Sequence, residues 1–160
     1  MNLFKPSFLI ENMEKTVVII KPDGIQKKLI GEIIKRIEKE GLNIIDVKIE
    51  RLTENKISEL YKESLSKFPQ IRKEVIEYMT EAPSILMILQ GEDAIKEGRS
   101  IRGLSDPSKS PIGSVRRDFA GDQNMEELTK SGKVTKNVMH ASGNKEEVDS
   151  EIKLFFGKKK

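Results

Sequence analysis

Apolar residues in this chain recur every second position in some stretches and every third or fourth in others, and the interleaving of the two periods restricts the fold more than any other feature. Thr16-Val17-Val18-Ile19-Ile20 is an unbroken strand signal that ends at the turn signature Lys21-Pro22-Asp23-Gly24. Ile30, Ile33, Ile34 and Ile37 follow helical spacing, and Gly41 closes that helix. Ile45, Val47 and Ile49 alternate with Asp46, Lys48 and Glu50, which predicts a strand with its aliphatic face buried and its charged face wet. Two helices follow, one capped by Thr53 and carrying Ile57, Leu60 and Tyr61, the other opening near Pro69 and carrying Ile71, Val75 and Met79. Ile85-Leu86-Met87-Ile88-Leu89 is a continuous buried run, and a short helix over about Asp93 to Arg99 leads into a loop from Gly103 to Gly113. A helical turn capped by Asn124 and ended by Gly132 precedes a last strand over about Thr135 to Met139, with His140 at its end.

The order strand, helix, strand, helices, strand, helix, strand, helix fits an α+β sandwich of ferredoxin-like type, a four-stranded antiparallel sheet with helices packed over one face. The 160 residues are read as an N-terminal extension over 1–12, a single domain over 13–157 and a basic tail over 158–160. The absence of cysteine excludes a disulfide framework, a thiolate metal site and a cysteine nucleophile. No run of 18 apolar residues predicts a membrane span, so a cytoplasmic location is expected. With 29 Lys and Arg against 26 Asp and Glu, the net charge of +3 does not point to nucleic acid as the partner.

His140 is the one histidine of the chain. A neutral imidazole attacks phosphorus near pH 7 without a separate base removing a proton first, which makes it a candidate nucleophile. The helix after it starts at the N-cap Asn144, has Glu147 three residues on, and is apolar at Val148, Ile152, Phe155 and Phe156. Glu151 flanks that stripe, and a carboxylate there needs a partner. Ser142 and Glu151 together can hold the imidazole in one orientation; the alternative is that Glu151 turns outward or pairs with Lys145 or Lys153.

Phosphate chemistry also needs fixed positive charge. Lys21, Arg99, Arg116 and Arg117 all sit at element ends or loop boundaries, and Ser105 adds a hydroxyl donor. Gly98 to Gly103 has the glycine spacing of a phosphate loop, but Leu104 stands where the lysine is required, so phosphates must be held by side chains.

Five islands in order, Lys21-Pro22-Asp23-Gly24, Gly31-Glu32-Ile33-Ile34, Arg116-Arg117-Asp118-Phe119, Asn137-Val138-Met139-His140-Ala141-Ser142 and Glu151-Ile152-Lys153-Leu154-Phe155-Phe156, make the stretch from Met13 to Phe156 resemble the nucleoside diphosphate kinases. The resemblance implies ping-pong transfer of a γ-phosphate from a nucleoside triphosphate to His140, at Nδ1, and onward to a nucleoside diphosphate, with Mg²⁺ bridging the phosphates. It implies that Lys21 and Asn137 meet the ribose 3′-hydroxyl and the phosphates, that Arg99, Ser105 and Arg116 clamp the phosphates, and that Tyr61, Ser142 and Glu151 support the histidine. It further implies broad base specificity, because the base is stacked at the surface, and a homo-oligomer, tetramer or hexamer, built from a common dimer.

The chain departs from the family pattern in four places. Gly143 follows Ser142 where a carboxylate is usual, with Asn144 available as the helix cap; Arg117 replaces a glycine and would be strained if that glycine serves backbone freedom. Ile71, with Val75 as the other jaw, stands in for a base-stacking phenylalanine, and the segment 120–136 is longer than the family norm. These changes predict weaker nucleotide binding in a working enzyme. The alternatives are a nucleotide-sensing or nucleic-acid-binding module of the same fold without turnover, or a ferredoxin-like regulatory domain with no phosphate site.

Overall fold

A computed structural model describes residues 13–157, so the extension 1–12 and the tail 158–160 lie outside the described residues. Strands β1 (Glu14–Ile20), β2 (Asn43–Glu50), β3 (Ser84–Gly91) and β4 (Met139–Ala141) form one antiparallel sheet in the order β2-β3-β1-β4. The connections carry α1 (Pro22–Gln26), α2 (Ile30–Lys39), α3 (Glu54–Leu60), α4 (Lys62–Lys67), α5 (Arg72–Thr80), α6 (Ala94–Arg102), α7 (Val115–Phe119), α8 (Met125–Lys130) and α9 (Lys145–Phe156). This is the ferredoxin-like α+β arrangement.

Helices cover both faces of the sheet, not one. Strand β1 alternates its side chains between two cores. Val18 and Ile20 join Ile33 and Ile37 of α2, Ile101 of α6 and Val115 of α7 in the first core. Val17 and Ile19 join Ile57 of α3, Val75 and Met79 of α5 and Phe155 of α9 in the second. A strand buried on both sides reads as an unbroken apolar run, which is why Thr16 to Ile20 shows no alternation. Each such aliphatic side chain contributes about 1.5–3 kcal/mol on burial.

The expected orientation of β2 is inverted. Ile45, Val47 and Ile49 are 45%, 54% and 69% exposed, while Asp46, Lys48 and Glu50 are half-buried. The register shifts between Ile44 and Asp46, so Ile45 sits at a bulge, while Ile44 packs on the first core. Beyond the bulge, Val47 lies opposite Met87 and Ile49 opposite Ile85, on the first-core face of an edge strand that no described helix covers there. On the other face the Lys48 ammonium lies over the Phe156 ring, 5.3 Å from the ring centre, and pairs with Glu50 at 2.9 Å; Glu50 also bonds Lys56. A cation over an aromatic face is attracted by the ring quadrupole.

Other boundaries move as well. Lys21-Pro22-Asp23-Gly24 is the entry to α1, with Pro22 at its first position, not a simple turn. An additional helix, α4, follows α3, and Pro69–Ile71 forms a 3₁₀ turn before α5. Helix α6 runs to Arg102 instead of ending near Arg99, and His140 occupies the centre of β4 instead of its end. The caps at Thr53, Asn124 and Asn144 are as expected, each accepting a backbone N–H three residues on.

Candidate active site

The approach to β4 is held by residues far away in sequence. Val138 has φ +72°, rare for a β-branched residue, within a γ-turn closed by the Met139 N–H donating to the Asn137 carbonyl at 2.8 Å. Such a conformation costs about 1–3 kcal/mol and persists because its surroundings enforce it. Asp23 accepts from the Val138 N–H at 3.1 Å with one oxygen and from the Tyr78 hydroxyl at 2.5 Å with the other, and the Lys21 N–H donates to the Val138 carbonyl. Gly24 permits the approach, since a Cβ there would lie 2.8 Å from Ile20 and 3.1 Å from the Val138 carbonyl oxygen. Lys21 Nζ in turn donates to Asn137 Oδ1 at 2.6 Å.

His140 lies opposite Ile19 on β1. Its Nε2 is 2.8 Å from Glu151 Oε1, and the Ser142 hydroxyl donates to Glu151 Oε2 at 2.6 Å. The two side chains of the pair are only 14% and 7% exposed. Ser142 is itself fixed on β1, its N–H donating to the Val17 carbonyl at 3.0 Å and its hydroxyl oxygen accepting from the Val17 N–H at 3.2 Å. Glu151 faces inward from α9; neither Lys145 nor Lys153 takes it. A carboxylate that receives the serine proton on one oxygen can receive Nε2–H on the other, which leaves Nδ1 with its lone pair.

Three guanidinium groups line the free edge of β4. The Lys21 N–H just past β1 takes up the Val138 carbonyl and the Val17 carbonyl of β1 takes up the Ser142 N–H, so the carbonyls of residues 139, 141 and 143 point away from the sheet. Arg116 donates to Met139 O at 2.8 and 3.2 Å, Arg102 to Ala141 O at 3.1 Å, and Arg99 to Gly143 O at 3.2 Å. Arg116 also reaches Leu104 O at 2.9 Å. Burial, reinforced by Arg102, pulls the Arg116 guanidinium down to about 9. Burial pushes the Lys21 ammonium well below the usual lysine range, with Arg116 adding to the effect. Lys21 lies 5.4 Å from the Tyr61 ring centre and 5.8 Å from that of Tyr78; burial raises both phenols, so both stay neutral.

The structure therefore brings His140, Ser142, Glu151, Lys21, Asn137, Arg99 and Arg116 together along β4 and its flanks, with Tyr61 packed against Lys21. Tyr61 points its hydroxyl at the Met79 sulfur, 3.8 Å away, and not at the imidazole. Ser105 is exposed in the loop, with no hydrogen bond from its side chain among the described residues. Val75 is 4% exposed, a core residue, with Ile71 half-buried against the same core; the aromatic ring exposed on this hairpin is Phe68. Arg117 is helical within α7 and unstrained, its N–H received by Ser114 and its guanidinium donating to Ser108 O at 2.8 Å. The carboxylate missing at 143 is replaced from the next helical turn: Glu147 accepts the Gly143 N–H at 2.6 Å, and a Cβ on Gly143 would meet that carboxylate at 2.9 Å. The long segment 120–136 is pinned by Gln123 to the backbone of Ala120 and Lys136, and it touches the α4–α5 hairpin through Gln70 Nε2 to Thr129 O at 3.3 Å. Sequence periodicity ends α6 near Arg99, a turn short of Arg102, so nothing in the sequence places Arg102 beside β4.

A ferredoxin-like sandwich with a carboxylate-held imidazole among buried cations defines a phosphotransferase architecture. The sequence model of nucleoside diphosphate kinases matches residues 14–160. A nucleoside diphosphate kinase of Saccharolobus islandicus is 38% identical over 146 residues, 91% of this chain and 96% of the relative, and one of Metallosphaera sedula is 36% identical over 143 residues, 89% and 93%. Among solved structures, a nucleoside-diphosphate kinase from Borrelia burgdorferi, a transition state mimic with bound vanadate and ADP, superposes with a TM-score of 0.82 at 26% identity, covering 90% of this chain and 87% of that one. The Aquifex aeolicus nucleoside diphosphate kinase gives 0.75 at 33% identity, covering 90% and 95%. The chain belongs to the nucleoside diphosphate kinase family, and its chemistry is phosphotransfer on nucleotides.

Proposed function

We propose that the chain runs a ping-pong reaction through phospho-His140. The observation that carries this reading is the chain of hydrogen bonds from Ser142 through Glu151 to His140 Nε2, which fixes the tautomer with Nδ1 free. In the first half-reaction, Nδ1 attacks the γ-phosphorus of a nucleoside triphosphate, the bond to the β–γ bridging oxygen breaks, and the diphosphate leaves. The second half-reaction is the reverse, with a terminal oxygen of a different diphosphate attacking the phosphohistidine. Glu151 stabilises the positive charge that develops on the ring, and Arg99, Arg116 and Lys21 offset charge on the phosphoryl oxygens. Asn137 orients Lys21, and Tyr61 packs the lysine from the other side. Ser105 adds a hydroxyl donor at the loop. The base rests on the α4–α5 hairpin at half-buried Ile71, with Val75 in the core beneath it, and apolar contact without edge hydrogen bonds supports broad base specificity.

Among the described residues no three His, Cys, Asp or Glu side chains cluster to hold a metal, and the lining around His140 is cationic. Mg²⁺ would then arrive on the nucleotide's own phosphates, and no residue here is assigned to it. No helix among the described residues is long and apolar enough to cross a membrane; with a chain free of cysteine, this fits action in the cytoplasm.

The position of β2 at the edge of the described sheet, with Val47 and Ile49 exposed on one face, supports assembly of two copies about a two-fold axis, the unit from which a tetramer or hexamer is built. The test of turnover is intact mass after incubation with ATP and Mg²⁺. One phosphate should appear on the protein, vanish on adding GDP, and be missing from His140→Ala. Label carried equally by wild type and His140→Ala would eliminate the mechanism, and phosphate-free protein with salt-dependent DNA binding would favour the module without turnover.

A further inference from the structure

The three guanidinium groups along β4 are not equivalent. Arg116 spends all three of its nitrogens on the Met139 and Leu104 carbonyls. Arg99 is exposed and holds only Gly143 O. Arg102 lies between them, donating through Nε to Gly103 O at 2.9 Å and through Nη1 to Ala141 O at 3.1 Å; its Nη2 has no hydrogen-bond partner among the described residues. Ala141 follows the histidine directly, so the head group is anchored at the catalytic strand and still has a donor edge to offer. Its half-buried position puts it in electrostatic range of Arg99, Arg116, Lys21, Glu147 and Glu151, the groups that surround the proposed phosphate path. A cation placed among three others at a cost in repulsion and desolvation calls for an anion, and the two carboxylates nearby are already engaged, Glu147 by the Gly143 N–H and Glu151 by His140 and Ser142.

We propose that Arg102 is a further substrate-binding residue of this site: Nη1 fixes the strand beside His140, and Nη2 binds a non-bridging phosphate oxygen of the nucleotide. This rests on the phosphohistidine reading for its catalytic meaning, but binding can be tested without turnover. The planar fork suits both tasks at once, since one edge grips a carbonyl while another donor meets a phosphate oxygen. The spacing supplies it: Arg99 and Arg102 stand three apart in the last turn of α6, on one side of the helix and at the end where its dipole favours cations.

The experiment is equilibrium binding of ADP by calorimetry at low and high salt, for wild type, Arg102→Gln and Arg102→Lys, with melting temperatures in parallel. Arg102→Gln keeps an N–H for the Ala141 carbonyl and removes the charge. It should melt within a few degrees of wild type, bind ADP about tenfold more weakly, and lose part of the salt dependence. Arg102→Lys should recover part of the affinity, about two- to threefold short of wild type. In steady-state assays the Gln variant should raise the nucleoside diphosphate KM with a smaller change in kcat. Unchanged ADP affinity and salt dependence in both variants, with only the melting temperature lowered, would overturn the proposal and leave Arg102 as a seal on the strand edge. Wild type that binds ADP but gives no phosphoprotein would refute the ping-pong reading, while the affinity comparison still decides the role of Arg102.

Discussion

The two edges of the sheet solve the same problem in opposite ways. At β4 the outward carbonyls of residues 139, 141 and 143 are each taken by an arginine, so this edge is closed to another strand and becomes the cationic wall of the site. At β2 no further described strand pairs with the outer edge, which is flanked by the exposed aliphatic side chains Val47 and Ile49. In the proposed reading the same backbone liability serves phosphate binding on one side and association on the other. Charge decides which: three guanidiniums cannot be stacked against a copy of themselves, whereas an aliphatic stripe can.

Experiments that break the β4 side should have the largest effects. His140→Asn removes the attacking nitrogen and should lower turnover by at least about 10⁴-fold with little change in melting temperature. Glu151→Gln keeps the shape and removes the charge, and kcat should fall by about 100-fold, since the imidazolium formed on phosphorylation loses its counter-charge. Rates within threefold of wild type would show that the carboxylate is only structural. On the β2 side, Val47→Asp puts like charges across the proposed two-fold and should reduce the particle mass measured by sedimentation, with His140 still phosphorylated by ATP; an unchanged mass would mean assembly uses another surface.

Two smaller effects separate charge from shape near the site. Because folding pushes the Lys21 ammonium below its usual range, the unfolded chain holds more protons in the window between the folded and the ordinary lysine value. The contribution of this group to stability therefore rises with pH across that window, while nucleotide binding falls as the ammonium is lost. The alkaline limb of kcat/KM should move to higher pH in Lys21→Arg; a limb that stays put would assign it to another group. Smallest of all, Arg117→Gly should destabilise by about 1 kcal/mol, a melting shift of roughly 2–4 °C, because Arg117 is helical. A stabilised variant would indicate strain at that position.

The comparison of edges also explains what sequence alone could convey. The apolar runs at β1 and β3, the caps at Thr53, Asn124 and Asn144, and the association of His140, Ser142 and Glu151 follow from local pattern and the need to satisfy a buried carboxylate. The face of β2 does not: alternation marks two faces, but whether the aliphatic one meets a core depends on the position of the strand in the sheet and on the bulge at Ile45, both non-local. Coverage of both sheet faces is concealed for the same reason, since each helix shows a single stripe. A cation in a last helical turn reads as surface in sequence, and what sets Arg102 apart from Lys39 at the end of α2 is its half-buried position and its bond to Ala141 O. Val75 shows the reverse error, a helical stripe residue assigned to a base pocket that the fold places in the core.

The central claim is that Glu151 holds Nε2 so that Nδ1 receives the phosphate. Nitrogen-15 and phosphorus-31 NMR of the protein phosphorylated by ATP, with ¹⁵N-labelled histidine, reads this directly, because His140 is the only histidine. Phosphorus coupled to Nδ1, with Nε2 protonated and hydrogen-bonded, is the result expected. Phosphorus coupled to Nε2, or a phosphate on a side chain other than His140, would contradict it.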